Sequence, residues 1–353
     1  MKTKKYEIAR AIDKLKSVVQ KNDNNPALNG ILVKDGVLIS SNTELTIHIK
    51  FEDSAGENFI IPMKAFDLIK NLPEGDVEIS ADSKNIVTIK MDKIKNSYQS
   101  FPADDFVYQN KPEEVSDGVV MPGEKLMSAI GHVMYAAADK NPNKSLTGIY
   151  FDGNERELNI VALDGHILAW DRINTDSGKD MKLIVPKSAA KKLLDMGMAD
   201  DVEVSHDKNF ITFKTEEYTI YSRLIEGKYY PYESMFRDCP IYTIVNKKEL
   251  ADSMTRAKLC VRDEAPTIFN LEENEMKISL NDKETKYEER LFMQEKVEEP
   301  LRIGFSSRLV LDTIKAFTCE NITLNFINEN MPMIVEAEDS DMKAMVLPVK
   351  IRG

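Results

Sequence analysis

Two stretches of this chain run through the same succession of elements. IIPMKAFDLIKNLPEGDVEISADSKNIVTIK (60–90) and LIVPKSAAKKLLDMGMADDVEVSHDKNFITFK (183–214) both read strand, proline, helix, acidic turn, strand, turn, strand. RIGFSSRLVLDTIKAFTCENITLNF (302–326) is a third copy, with Phe305 where the others have Pro62 and Pro186. The prolines are 124 residues apart, and Phe305 follows Pro186 by 119. Upstream segments match as well: LNGILVKDGVLIS (28–40), LTGIYFDGNERELNIV (146–161) and TIFNLEENEMKISL (267–280), with Gly30 and Gly148 separated by 118. Each is preceded by apolar residues at helical spacing, in 7–19, 124–138 and 248–261. Self-similarity at a fixed period dictates architecture before any local reading does. The chain is expected to be three similar domains, over 1–120, 121–241 and 242–353. Each combines two short helices with period-two strands such as DVEVS, FITFK and NIVTIK. Helices grouped on one face of antiparallel sheets make an α+β fold.

Composition narrows the function classes. The 353 residues are 42% hydrophobic and 30% charged with both signs mixed, as in a folded water-soluble protein. No apolar run approaches a membrane span, and the first residues lack a leader pattern, so a cytoplasmic location with no membrane partner is expected. Three widely spaced cysteines, Cys239, Cys260 and Cys319, fit small apolar residues better than a disulfide framework. The whole chain carries -12, yet its six helical stretches sum to +11, leaving -23 elsewhere. A face built of those helices would suit a polyanion; solvated lysines on helix surfaces would give the same count.

Catalysis is not expected. Asp164 and His166 in VALDGHILAWDRI (161–173) resemble an acid/base fragment, but Gly165 between them reads as a turn. The four histidines, His48, His132, His166 and His206, show no metal-ligand spacing, and no phosphate-binding glycine motif occurs. No catalytic residue, cofactor or metal is assigned.

At the level of motifs the chain resembles the beta subunit of bacterial DNA polymerase III, the sliding clamp family. The likeness rests on LTGIYF, LDGHILA fifteen residues after Gly148, IVPKSAAKKLL, SRLIEGKYYPY (222–232), FPADDF (101–106) and MPMIVEAEDSDMKAMVLPVKI (331–351). It spans the whole chain in order. The resemblance implies that each chain is half of a closed ring, formed head to tail by two copies, that encircles double-stranded DNA and slides. It also implies the partners: the polymerase III catalytic subunit, the clamp-loader complex, and other replication or repair proteins bearing a clamp-binding peptide. A clamp-fold interaction protein with no DNA role is the alternative. Lys14, Lys16, Lys21, Lys140, Lys144, Lys187, Lys191, Lys192, Lys247, Lys248, Arg256 and Lys315 are the expected phosphate contacts, with Lys140, Lys144 and Lys187 foremost. Backbone contacts of this kind carry no sequence information. Phe106 of one copy is expected to meet Leu259 and Cys260 of the other.

Carried over by position, the family's peptide pocket has four segments here. They are Leu146; Leu163, Gly165, His166, Ile167 and Leu168; Tyr230, Pro231, Tyr232, Ser234 and Met235; and the tail Met345, Val346, Leu347, Pro348, Val349, Lys350 and Ile351. These residue types suit apolar anchors of a short peptide. The chain departs from the family pattern: Ile167 replaces the usual arginine, Leu163 a smaller residue, YYPY displaces the proline, and Ser234 stands where some relatives have arginine. A more apolar, less basic pocket is expected, with an altered preference at the peptide's polar positions.

Overall fold

The computed structural model describes residues 1–109, 118–175, 179–260, 265–281 and 285–351. Residue 261, the last of the third helical stretch, lies outside them. Six α-helices occur among the described residues: α1 (Lys5–Leu15), α2 (Phe66–Lys70), α3 (Gly123–Val133), α4 (Lys187–Met196), α5 (Lys247–Leu259) and α6 (Ser307–Ala316). Helical spacing predicts a helix through 138, but α3 ends at Val133. A single 3-10 turn follows (Met134–Ala136), and then a loop begins. Ala137 closes that turn in an extended conformation, at φ -77° and ψ 135°.

The chain packs as two compact units. The first comprises residues 1–124 and 195–224, and the second 125–194 and 225–353. In the first, a four-stranded sheet runs Lys2–Lys4, Asp76–Ala81, Ile86–Met91, Ile94–Gln99. An eight-stranded sheet runs Asn58–Pro62, Gly30–Lys34, Val37–Ser41, Leu45–Lys50, Tyr218–Arg223, Phe210–Lys214, Asp201–His206, Val119–Pro122. Its seam joins the first repeat to the second, with Ile47 opposite Ile220. Ile8, Ala11, Ile12 and Leu15 form the buried stripe of α1, and α1 packs on α2. Phe106 is a core residue here, packed with Leu28, Leu32, Ile39 and Ile60.

The second unit holds another eight-stranded sheet: Met181–Pro186, Gly148–Gly153, Glu157–Leu163, Ile167–Asn174, Lys343–Val346, Met333–Glu336, Asn321–Phe326, Ile241–Asn246. Beside it stands a long hairpin of Thr267–Asn281 and Lys286–Phe305. Helix α5 packs on α6, and Asn246 caps α5 by accepting from the Glu249 amide at 3.0 Å. Leu259 at the end of α5 is 83% exposed.

All ladders are antiparallel, and their register carries the repeat. Gly30 pairs with Pro62, Gly148 with Pro186, and Thr267 with Phe305. Glycine is required at the first two positions. A Cβ on Gly30 would lie 2.5 Å from the Ile61 carbonyl oxygen, and one on Gly148 would lie 2.8 Å from that of Val185. The third copy diverges next. Where 30–41 and 148–163 each make two strands, 267–281 is one strand with register shifts around Glu273, which sits at φ 49°.

Candidate functional site

The second unit's sheet bends at residues 164–166. Asp164 Oδ1 accepts the backbone amides of His166 (2.8 Å) and Ile167 (3.0 Å), and the Asp164 amide donates to the Ile167 carbonyl (3.2 Å). Gly165 takes φ 98°, which an L-side chain resists. The turn sets Leu163 opposite Leu168. It also leaves the His166 imidazole exposed, while the His166 carbonyl accepts the Leu347 amide at 2.9 Å.

Period-two alternation then assembles one apolar face. Leu163, Val161, Leu168, Met345 and Ile334 pack with Leu146 and Tyr232 into a single buried cluster. The segment 229–236 lies over it. Tyr229 stacks on Tyr150 at 4.6 Å, Tyr232 meets Trp170 edge-on at 5.2 Å, and Phe236 is 5.5 Å from Trp170. Two polar tips are satisfied within it: the Tyr232 hydroxyl donates to Asp152 Oδ2 (3.0 Å) and Trp170 Nε1 to Asn159 Oδ1 (2.8 Å). Burial pushes the Tyr150 hydroxyl up to about 12 and raises those of Tyr229 and Tyr232 further. Met235 and the half-buried Cys239 complete the packing. Burial also raises the Cys239 thiol.

Ile167 and Val346 do not join this face. They pair with each other one residue out of phase with Leu168 and Met345, so their side chains are buried on the opposite side of the sheet. The expectation that Ile167 lines the pocket is corrected accordingly. Around the cluster, Tyr230 (39%), Leu347 (38%) and Val349 (41%) stay exposed despite their apolar bulk. Pro231, Ser234 and Lys350 are exposed, while Pro348 and Ile351 are half-buried. Ser234 Oγ donates to the Pro231 carbonyl at 2.8 Å, a local turn bond. The tail is tethered where the Val349 amide donates to the Gly304 carbonyl at 2.8 Å.

The helix cations divide into held and free. In the first unit Lys14 lies 3.2 Å from Glu217, and Lys16 and Lys70 share Asp13 at 2.6 and 2.8 Å, which holds that carboxyl below its ordinary range. Lys21 is exposed beside Asp23 at 3.2 Å. In the second unit Lys187 Nζ donates to Asp139 (2.7 Å) and to the Ala137 carbonyl (2.6 Å). Lys187 lowers the Asp139 carboxyl, with Arg308 and Lys191 adding to the effect. Arg308, on α6, thus acts on Asp139 together with Lys187 and Lys191, and no sequence motif marked it. Arg256 forks onto Glu289 at 3.0 and 2.5 Å and draws that carboxyl down to about 2. Lys247 Nζ donates to the Phe317 carbonyl, and Lys248 lies 3.5 Å from Asp252. Lys140, Lys144, Lys191 and Lys315 are exposed. Lys192 is 6% exposed, so the expectation of a phosphate contact there is corrected: α4 turns it inward on the face of Ala189 and Met196.

A second polar arrangement escaped the sequence reading. His132 Nδ1 lies 2.6 Å from the buried Asp171 Oδ2, and its Nε2 lies 3.4 Å from Ser128 Oγ. Ser128 sits within α3, where backbone amides are consumed by the helix and offer no oxyanion donors. The pair ties α3 to the strand Ile167–Asn174. Among the described residues no group of three or more His, Cys, Asp or Glu is placed to hold a metal, and no helix is long and apolar enough to cross a membrane.

Sequence profiles of the DNA polymerase III beta subunit match the chain three times in order: the N-terminal domain over 1–109, the central domain over 120–231 and the C-terminal domain over 237–350. The chain belongs to the DNA polymerase III beta subunit family. Among relatives, the beta sliding clamp of Bacillus subtilis is 23% identical over 98% of both chains, and that of Pseudomonas aeruginosa 25% over 95% of both. A crystal structure of a putative DNA polymerase III beta subunit from Eubacterium rectale superposes with a TM-score of 0.90 at 25% identity, covering 99% of both chains. The Pseudomonas aeruginosa sliding clamp bound to griselimycin gives 0.93 at 22% identity over 99% of both. Three domains of antiparallel sheets with helices are therefore the family fold. In this sliding clamp chain the sequence motifs located the Leu163–Leu168 turn and the tail. They missed Tyr150, Val161, Trp170, Tyr229, Phe236 and Ile334. The signal for Val161 and Trp170 was present, two residues from Leu163 and Leu168 along their strands.

Proposed function

We propose that the chain is a DNA sliding clamp: two copies pair head to tail into a ring that encircles duplex DNA without reading sequence. In this reading it tethers the replicative polymerase, its loader and other proteins. Exposed Lys140, Lys144, Lys191 and Lys315, with Lys187 and Arg308, contact phosphates; Lys192 does not. Partners insert apolar side chains against the cluster of Leu146, Leu163, Leu168, Tyr232 and Met345, between the rim residues His166, Tyr230, Leu347 and Val349. The carrying observation is that rim: three large apolar side chains stay exposed around a cluster of aromatic and aliphatic residues that is otherwise closed. Such a surface suits a short peptide, with topology rather than affinity keeping the protein on DNA. Catalysis is no part of the role.

The test is sedimentation equilibrium at micromolar concentration. The reading expects twice the 40.1 kDa chain mass. A stable monomer would remove the ring and leave a clamp-fold interaction protein as the reading.

A further inference from the structure

The loop after α3 is anchored at both ends to different features. At its start, Asp139 is held by Lys187 at 2.7 Å. Near its end, the Asn143 side-chain amide donates to the Tyr230 hydroxyl at 3.0 Å. Between them stand Lys140 and Lys144, both exposed. The loop is internally stiff: Asn141 Oδ1 accepts the Asn143 amide at 2.9 Å, and Asn143 Oδ1 accepts the Ser145 amide at 3.1 Å. The second bond fixes the orientation of the Asn143 side chain. With its oxygen committed to Ser145, its nitrogen is the atom presented to Tyr230.

Tyr230 continues into the apolar site. Its ring meets Tyr229 edge-on at 6.4 Å, and its carbonyl accepts the Tyr232 amide at 2.8 Å. Tyr229 is stacked on Tyr150 and Tyr232 meets Trp170 edge-on in the floor. A short path of bonded groups therefore runs from the two lysines to the peptide rim.

We infer that Asn143 is a positioning residue that makes phosphate contact at Lys140 and Lys144 and peptide binding at the Tyr230 rim mutually reinforcing. The inference rests on the sliding-clamp reading above. Each ligand bears on one end of the same stiff loop, so a shift that either makes is passed to the other through the Asn143–Tyr230 bond. Coupling of this kind is reciprocal by necessity. Its size is that of one hydrogen bond, about 2- to 10-fold in affinity.

The experiment measures the dissociation constant of a fluorescein-labelled peptide carrying two leucines and a phenylalanine, with and without a saturating short DNA duplex. Wild type is expected to bind the peptide several-fold more tightly with duplex present. Tyr230→Phe removes only the hydroxyl, and Asn143→Ser keeps a capping oxygen but cannot reach Tyr230. Each is expected to bring the ratio to one, and the double variant to do no more than either single. A merely structural role for these side chains would shift both constants and leave their ratio unchanged. A ratio of one in wild type, or a wild-type ratio retained in both variants, overturns the inference while leaving the clamp reading intact. Failure of wild type to bind the peptide at all overturns the peptide-site reading, and the inference with it.

Discussion

His48 shows how one side chain can report on the seam between repeats. It stands opposite Thr219, with its ring 5.1 Å from Tyr221 and 5.6 Å from Tyr108, and Nε2 is 3.1 Å from the Gln109 carbonyl. Burial pulls its pKa down to about 4, against a smaller upward pull from the Gln109 bond. The neutral ring is the folded-state form, so the unfolded chain binds the extra proton first. The contribution of His48 to stability is constant above about pH 6.5 and falls as pH drops from there toward 4, at up to about 1.4 kcal/mol per pH unit. Chemical denaturation at pH 7 and 4.5 should show this loss, and His48→Phe should flatten it between those values. An unchanged slope in the variant would mean other groups set the acid limit. This histidine carried no signal in the sequence. Its neighbours come from residues about 60 and 170 positions away, whereas the Asp164–Gly165 turn was legible because its bonds are local.

At the scale of elements, the sheet face decides what the site is. Alternation places Leu168 and Trp170 on one side and Ile167 on the other, so Leu168→Ala should cost about 2–5 kcal/mol and weaken peptide binding. Ile167→Val, a smaller change on the opposite face, should leave peptide affinity unchanged in the same titration. The chain has one tryptophan, and Trp170 lies in the floor. Its emission should therefore shift to the blue as a peptide excludes water, and a spectrum indifferent to a bound peptide would place the ligand elsewhere. The brace between α3 and its strand makes a separate prediction. His132→Ala strands the buried Asp171 carboxylate and should lower stability by about 1–3 kcal/mol in thermal unfolding. The limits of sequence reading are physical at this scale too. Motif position located Leu163–Leu168 but assigned Ile167 and Val346 to the wrong face, because a position-by-position transfer ignores the two-residue period. Lys192 failed similarly: its charge marked it as a contact, while its helical phase, shared with buried Ala189 and Met196, turned it inward.

For the whole molecule, the repeat was the most legible feature, because its marks are backbone requirements. Gly30 and Gly148 admit no Cβ, and their pairing with Pro62 and Pro186 recurs as Thr267 with Phe305. Less legible was how the repeats share sheets. Each eight-stranded sheet takes four strands from one repeat and four from another, so the packing units do not coincide with the repeats. That continuity is a matter of long-range pairing, on which local composition is silent. In the proposed function, topology rather than affinity holds this chain on DNA. The most direct measurement is its retention, after loading by the clamp loader of the same source, on closed circular DNA compared with the same DNA cut once. The protein is expected to persist on the circle at high salt and to be lost from the linear form. Equal loss from both, or equal retention on both, would contradict that.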